Sequence, residues 1–282
     1  MLTFFSCPDG IKRPIKECLE KCANKNGRCL SLPTLYEIGK VRPFKGTFST
    51  TQLLKGCRQV YLEILNPFAI DPMDAAFMLL GTRHHQKLDF AAKQLNLTSE
   101  KFIDAEISGV LDLLEPDEMH EGYFKLIDYK TSGSYAIAKA LGRKNETGES
   151  VMLSWELQLN KYRIELEKLG AKISRMFIQG CVRDGGTFSA RNNNVPEKFV
   201  MIPIKKLDDQ EVYYYFHDKA EIITKALEVN ELPKLCTWKE RWGNRRCVDN
   251  YCPVVAWCPE GAKMTKKACL LRNTKFTIAY AE

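Results

Sequence analysis

Eight of the eleven cysteines of this 282-residue chain fall in two groups at its ends, and that grouping divides the sequence. Cys7, Cys18, Cys22 and Cys29 lie in a segment, residues 1–35, that is rich in Lys, Asn and Gly and poor in apolar residues. Such a segment can hardly form a core without a staple. Cys236, Cys247, Cys252 and Cys258 lie in residues 232–282, after the Leu232-Pro233 break that ends a long helical pattern. Residues 36–231 form the body between them, with Cys57 and Cys181 inside it, and Cys269 is left over near the C-terminus. The apolar patch of the N-terminal MLTFFSCPDG is too short for a secretory leader and lacks a small-residue cleavage site. A cytoplasmic protein is therefore expected, whose cysteines serve as metal ligands rather than disulfides.

Charge is distributed as unevenly as the thiols. Residues 1–58 carry 11 Lys/Arg against 4 Asp/Glu, or +7, and residues 232–282 carry 10 against 4, or +6. The whole chain is +7, which leaves −6 for the middle. An acidic centre suits a body whose carboxylates hold divalent cations, and basic ends suit attraction of a polyanion such as nucleic acid. The same numbers also describe an ordinary solvated surface of mixed charge. The length is ample for a large core. No apolar run approaches the roughly 18 residues of a membrane helix, so no membrane partner is expected.

Local patterns within the body point to alternating helices and strands. A Ser49-Thr50-Thr51 cap opens a helix over about 49–64, and Pro72 opens another to about Leu95. Two apolar strands follow at 107–114 and 123–130, joined by the polar turn EPDEMHEG. A helix over about 151–169 carries Trp155, Leu159, Tyr162, Leu166 and Leu169 on one stripe, and Gly170 ends it. Strands at 174–182 and 198–206 precede a helix near 208–230. The layout is α/β with a central mixed sheet flanked by helices.

The hairpin at 107–130 carries the chemistry. Alternate residues of a strand share a face, so Phe124, Leu126, Asp128 and Lys130 point one way and Tyr123, Ile127 and Tyr129 the other. Asp112 shares its face with Val110 and Leu114, and folding about 115–122 brings it within about one or two residue pairs of Asp128. Carboxylates that close are unfavourable unless a cation or proton lies between them, which makes a Mg²⁺ or Mn²⁺ site the natural expectation.

At these residues the sequence resembles the PD-(D/E)XK nucleases, in particular their RecB-like branch. The resemblance rests on G-x-x-x-H at Gly81 to His85, G-V-L-D at Gly109 to Asp112, D-Y-K at Asp128 to Lys130 and Q-L-N-K-Y at Gln158 to Tyr162, in that order. It implies that Asp112, Asp128 and His85 ligate the metal and that Lys130 positions the attacking water. Gln158 and Tyr162, four apart and so on one helical face, resemble the motif that supports the lysine or contacts DNA. Neighbouring His84 competes with His85 for its role, and Glu106 is a possible substitute ligand.

The cysteines extend the resemblance. The spacing C-x4-C-x5-C of Cys247, Cys252 and Cys258, with Cys236 ahead of it, resembles the [4Fe–4S] staple of the AddB and CRISPR-associated branches. In those, one cysteine before the core joins three after it. Cys57 stands at the earlier position here, while Cys236 already offers a fourth ligand on the C-terminal side. Four thiolates suit zinc as well, and zinc is the better expectation for Cys7, Cys18, Cys22 and Cys29. The implied function is a metal-dependent exonuclease that processes DNA ends in recombination, repair or mobile-element biology. The chain holds no G-x-x-x-x-G-K-[ST] phosphate loop, so unwinding would fall to a separate helicase or recombination protein. The alternative from another class is a nucleic-acid-binding or assembly module that keeps the fold and does little cleavage.

Overall fold

The structure is a computed structural model that describes residues 1–24, 27–41, 43–143 and 152–265. Two compact units make up the chain, Met1–Gly46 with Lys55–Phe77 and Asp218–Glu282, and Thr47–Leu54 with Met78–His217. The first is discontinuous and contains both cysteine-rich ends together with Cys57. Cys269 lies outside the described residues.

In the first unit, β1 (Leu2–Ser6) pairs antiparallel with β2 (Lys12–Pro14) and parallel with β3 (Phe68–Ile70). The turn between β1 and β2 closes through Gly10 N donating to Cys7 O at 2.8 Å and Cys7 N donating to Ile11 O at 3.0 Å. Gly10 takes φ +78° there, a conformation open to glycine at little cost. Helices α1 (Ile15–Glu20) and α2 (Leu32–Ile38) bury Ile15, Cys18, Leu35 and Ile38 beside Phe5 of β1.

The second unit is built on a five-stranded mixed sheet in the order β4-β5-β6-β7-β8. The strands are β4 (Thr98–Ile103), β5 (Gly109–Pro116), β6 (Phe124–Ser132), β7 (Ile173–Val182) and β8 (Phe199–Ile204). Only β6 and β7 run parallel. A parallel pair needs a long crossover, and α7 (Ser134–Ala140) and α8 (Leu153–Lys168) supply it. Trp155, Leu159, Tyr162 and Leu166 of α8 pack with Leu114, Leu126, Met176 and Ile178 on one face of the sheet. Leu113, Ile127 and Tyr129 pack with Leu88 and Ala92 on the other. The alternation expected along the hairpin is therefore the alternation observed.

Four sequence expectations change. The helix expected over 49–64 is two, α3 (Thr50–Leu53) and α4 (Cys57–Leu65), because the backbone turns at Gly56. Ser49 does cap the first, with Gln52 completing a capping box. The helix from Pro72 is likewise interrupted, into α5 (Pro72–Ala75) and α6 (Phe77–Gln94). Leu169 lies past the end of α8 at 73% exposure and leaves the apolar stripe, since Gly170 turns the chain away at φ +89°. The hairpin strands lie about two residues later than the sequence suggested. Strand β4 and the short α9 (Phe188–Asn192) and α11 (Arg245–Val248) had no clear periodicity to announce them, while α10 (Asp209–Val229) falls where expected.

Two motif glycines differ in what they must accommodate. A Cβ at Gly109 would lie 2.4 Å from Tyr162 Cε1, and that ring is buried. Gly81, on α6, has no such neighbour within 4 Å. Gly109→Ala should therefore destabilise the protein by about 1–3 kcal/mol through overpacking. Gly81→Ala should be neutral or stabilising by up to about 1 kcal/mol, since glycine is a poor helix former. Urea-unfolding midpoints of the two variants check the contrast.

Candidate active site

The site begins with strand register. On one side of β5, Ser99 pairs with Leu113 and Lys101 with Leu111, which sets Glu100 opposite Asp112. On the other, Leu113 pairs with Ile127 and Leu114 with Leu126, and one pair further on this register faces Asp112 with Asp128. Three carboxylates thus form a row across three strands. Asp112 and Asp128 are buried, at 7% and 2% exposure. Glu100 has a backbone φ of +45°, unfavourable for a residue with a side chain and of a kind that clusters at functional sites.

Partners are supplied from both faces. Asp112 Oδ2 accepts from Tyr129 N at 2.7 Å. His85 of α6 places Nδ1 3.3 Å from Glu100 Oε1 and 3.5 Å from Asp112 Oδ1, and its Nε2 lies 3.0 Å from Tyr129 O. Ligand atoms of His85, Glu100 and Asp112 all lie within 4.8 Å of one another. From α8, Gln158 Nε2 donates to Asp128 Oδ1 at 3.1 Å and Gln158 Oε1 accepts from Lys130 Nζ at 3.1 Å. Lys130 Nζ stands 2.7 Å from Asp128 Oδ2, an ionic contact without hydrogen-bond alignment that leaves this buried oxygen otherwise unpartnered. Gln158 also donates to Tyr162 OH at 3.3 Å.

Burial, and then the charge of Asp128, push the Asp112 carboxyl up to about 7, against the opposing influence of His85, Tyr129 N and Lys130. Burial raises the Tyr162 hydroxyl to about 12, so Tyr162 is a neutral hydrogen-bonding group. A divalent ion suits this donor set. Oxygens and one imidazole are ligands for Mg²⁺ or Mn²⁺, Asp128 Oδ2 has no hydrogen-bond partner besides its ionic contact with Lys130, and a cation would relieve the repulsion within the carboxylate row.

The structure brings His85, Asp112, Asp128, Lys130, Gln158 and Tyr162 together. His84 stands apart: it packs edge-on against Tyr129 at 5.9 Å, and burial lowers its pKa. Glu106 does not join either, being exposed and 3.6 Å from His217 Nδ1. Glu100, not Glu106, supplies the additional carboxylate beside His85 and Asp112. Its only sequence signal was its place in the exposed segment before the hairpin.

All ten described cysteines are free thiols. In the N-terminal group, Cys18 feels Cys22, Cys7 and Cys29, and burial raises its pKa further than they do. Arg28 Nη2 donates to Leu19 O at 3.2 Å and Glu20 O at 3.4 Å, which returns the chain at Cys29 to the end of α1. In the C-terminal group, burial pushes Cys252 up to about 11, with Cys247 and Cys236 adding to the shift. Cys236 in turn feels Cys258 and Cys247. Cys57, raised by burial to about 11, neighbours Cys236. Cys258 Sγ lies 3.7 Å from Arg58 Nη1 and 3.4 Å from Gly261 N, donors that a thiolate would use.

A β-β-β hairpin sheet with a crossover helix and an acid-x-lysine at its centre defines a nuclease-like architecture. The PD-(D/E)XK nuclease superfamily model matches residues 73–259, and the chain belongs to that superfamily. No curated protein sequence matches it. A solved structure described as the crystal structure of SSO0001 is similar at 16% identity over 88% of this chain and 94% of that one, with a TM-score of 0.44. No helix among the described residues is long and apolar enough to cross a membrane.

The raised Asp112 carboxyl gives a signed pH dependence in metal-free protein. The native state keeps this proton to about 7, whereas the unfolded chain loses it near 3.9. Native protein binds more protons between those values, so stability falls as pH rises from about 4 through about 7 and levels off above. With chelator present, Asp112→Asn should remove this decline. Urea midpoints at pH 5 and pH 8 test it, and parallel pH profiles for the variant and wild type would show the assignment to be wrong.

Proposed function

We propose that the protein is a divalent-metal-dependent deoxyribonuclease of the RecB-like branch, an exonuclease that processes DNA ends. Superfamily membership carries the coarser part, a metal-dependent nuclease. The single observation that supports an active enzyme is the Asp128–Lys130–Gln158 arrangement beside Asp112. A binding module has no need to bury two facing carboxylates with an ammonium poised at their edge. DNA as substrate is supported by the basic ends of the chain.

Asp112, Asp128, His85 and Glu100 would hold the ion. When bound, it would neutralise phosphate charge and make water a better nucleophile near neutral pH. Lys130 would orient the attacking water and steady charge that develops on the phosphate. Gln158 is a positioning residue: one amide fixes both the Asp128 carboxylate and the Lys130 ammonium, so the two move together. Tyr162, held by Gln158 and pressed on Gly109, fixes that amide against β5. A separate helicase or recombination protein would supply unwinding, and free thiols throughout the described chain suit the cytoplasm.

Asp128→Asn and Lys130→Ala should each lower Mn²⁺- or Mg²⁺-dependent cleavage at least about 10²-fold while the fold is kept. Gln158→Ala should lower it less. End-labelled linear DNA and circular DNA, each with Mg²⁺, Mn²⁺ or chelator, provide the assay. Cutting of circles would exclude the exonuclease, and a wild-type rate in either of the first two variants would exclude the site.

The thiol groups extend this proposal. Cys236, Cys247, Cys252 and Cys258 would hold a [4Fe–4S] cluster, with Cys57 the substitute for Cys236, and Cys7, Cys18, Cys22 and Cys29 would hold zinc. Mutual electrostatic influence within each group and the donors at Cys258 support it. Protein purified without oxygen should be brown with about four irons per chain. Cys252→Ala or Cys258→Ala should lose the iron and much of the stability, since binding energy at such a site is folding energy. Metal analysis that finds zinc and no iron would remove the cluster from the proposal.

A further inference from the structure

Three of the chain's four tryptophans lie between residues 238 and 257, and all three are exposed. Trp238 is 62% exposed and Trp242 54%, with Tyr251 beside them at 56%, whereas the fourth tryptophan, Trp155, is in the core. Tryptophan is on average a well-buried residue, so exposed clusters of it mark contact surfaces.

The backbone between these rings takes an uncommon conformation. Trp242, Gly243 and Asn244 take φ of +52°, +64° and +76° in succession. Bulky residues rarely adopt that region, and strain of this kind persists where the surroundings impose it. The Trp238 ring lies against the same turn, where a Cβ on Gly243 would be 3.2 Å from its Cζ2. On the other side, the rings of Trp242 and Tyr251 are 5.7 Å apart. Two guanidiniums accompany the rings, Arg246 Cζ 5.0 Å from the Trp242 centroid and Arg241 Cζ 6.0 Å from that of Trp238.

Local charge favours an anion. Between Cys236 and Cys258 there are four basic residues, Lys239, Arg241, Arg245 and Arg246, against Glu240 and Asp249. Glu240 is engaged by Lys219 Nζ at 2.8 Å and Thr237 N at 2.8 Å. Trp257, by contrast, is tied down through its indole N–H to Pro67 O at 2.9 Å and serves the packing of its own segment.

We propose that Trp238, Trp242 and Tyr251, with Arg241 and Arg246, form a stacking platform for the bases of single-stranded DNA. Exposed aromatic faces interleaved with cations are what unpaired bases and their phosphates require, and a duplex offers no free base faces to them. The proposal deepens the nuclease reading, on which its choice of DNA rests: the platform would hold the strand that the nuclease acts on.

The test uses the full chain without added Mg²⁺ or Mn²⁺, so that affinity is read without cleavage and the metals proposed at the thiols stay in place. Anisotropy of labelled oligothymidylate should show the Trp242→Ala/Tyr251→Ala variant binding at least about tenfold more weakly than wild type. Trp242→Phe, which keeps an aromatic face, should retain most of the affinity. Binding to duplex DNA should change little in either variant, because phosphate contacts remain. Oligothymidylate should also quench wild-type tryptophan fluorescence, a readout that needs no variant. Equal oligothymidylate affinity in wild type and the double variant, or no quenching, would overturn the platform. Binding confined to oligouridylate would overturn the assignment to DNA. Cleavage by wild type with Mn²⁺ is scored separately, so its absence would count against the nuclease and leave the platform to stand or fall on the binding data.

Discussion

Repulsion between the facing carboxylates of Asp112 and Asp128 is the constraint around which the second unit is arranged. The sheet register makes them neighbours and the covering helices deprive them of water, so the ionised form of Asp112 is penalised twice. Four groups lessen that penalty in part: the Tyr129 amide and His85 at Asp112, the Gln158 amide and Lys130 at Asp128. None removes it, and the Asp112 carboxyl still holds its proton to about 7. A site left short of positive charge in this way binds a cation more strongly than a fully compensated one would, at the expense of stability without the ion.

Topology determines which residues can do this compensating. Because β6 and β7 are parallel, the chain must cross over between them, and α8 is brought back across the sheet face that holds Asp128 and Lys130. Gln158 and Tyr162 are one turn apart on that helix. Leu159 and Leu166 fix its position by burial, and the amide of Gln158 is thereby presented to Asp128 and Lys130. Gly109 completes the frame, since only a residue without a side chain lets the Tyr162 ring lie against β5. The hairpin's far end is fastened by Asp117, whose buried carboxylate accepts from Arg175 Nε at 2.9 Å and Met119 N at 2.9 Å.

How much of this could be seen in the sequence follows from how locally each feature is encoded. The hairpin was legible because a period of two assigns faces, and a turn of fixed length then sets the register of Asp112 against Asp128. Gln158 and Tyr162 were legible by helical spacing. Glu100 was not, because β4 is an edge strand with Lys101 and Phe102 both exposed, so no alternation identifies it as a strand. Its left-handed backbone is invisible in a sequence that shows glutamate and not glycine. The break at Gly56 was hidden for the opposite reason. Apolar spacing continues through it, and what requires a residue without a side chain at the break is Cys236, 180 positions away, whose Sγ a Cβ at Gly56 would meet at 2.4 Å.

The chain keeps two kinds of candidate donor in two units, and this division has a chemical rationale. Thiolates prefer zinc or iron, while carboxylates with one imidazole accept the harder Mg²⁺ and Mn²⁺. A mixed site would be taken over by the tightest-binding metal, which for a hydrolytic centre is seldom the one it needs. With the two cysteine groups in the unit that holds Cys57 and both chain ends, and the carboxylate row in the unit that holds the five-stranded sheet, each candidate donor set could be filled by its own ion. Stability and chemistry are divided along the same line. On the proposed reading, metal binding at the thiol-rich segments would add to their folding energy. The sheet unit has a large core and can therefore tolerate the buried carboxylates that chemistry requires.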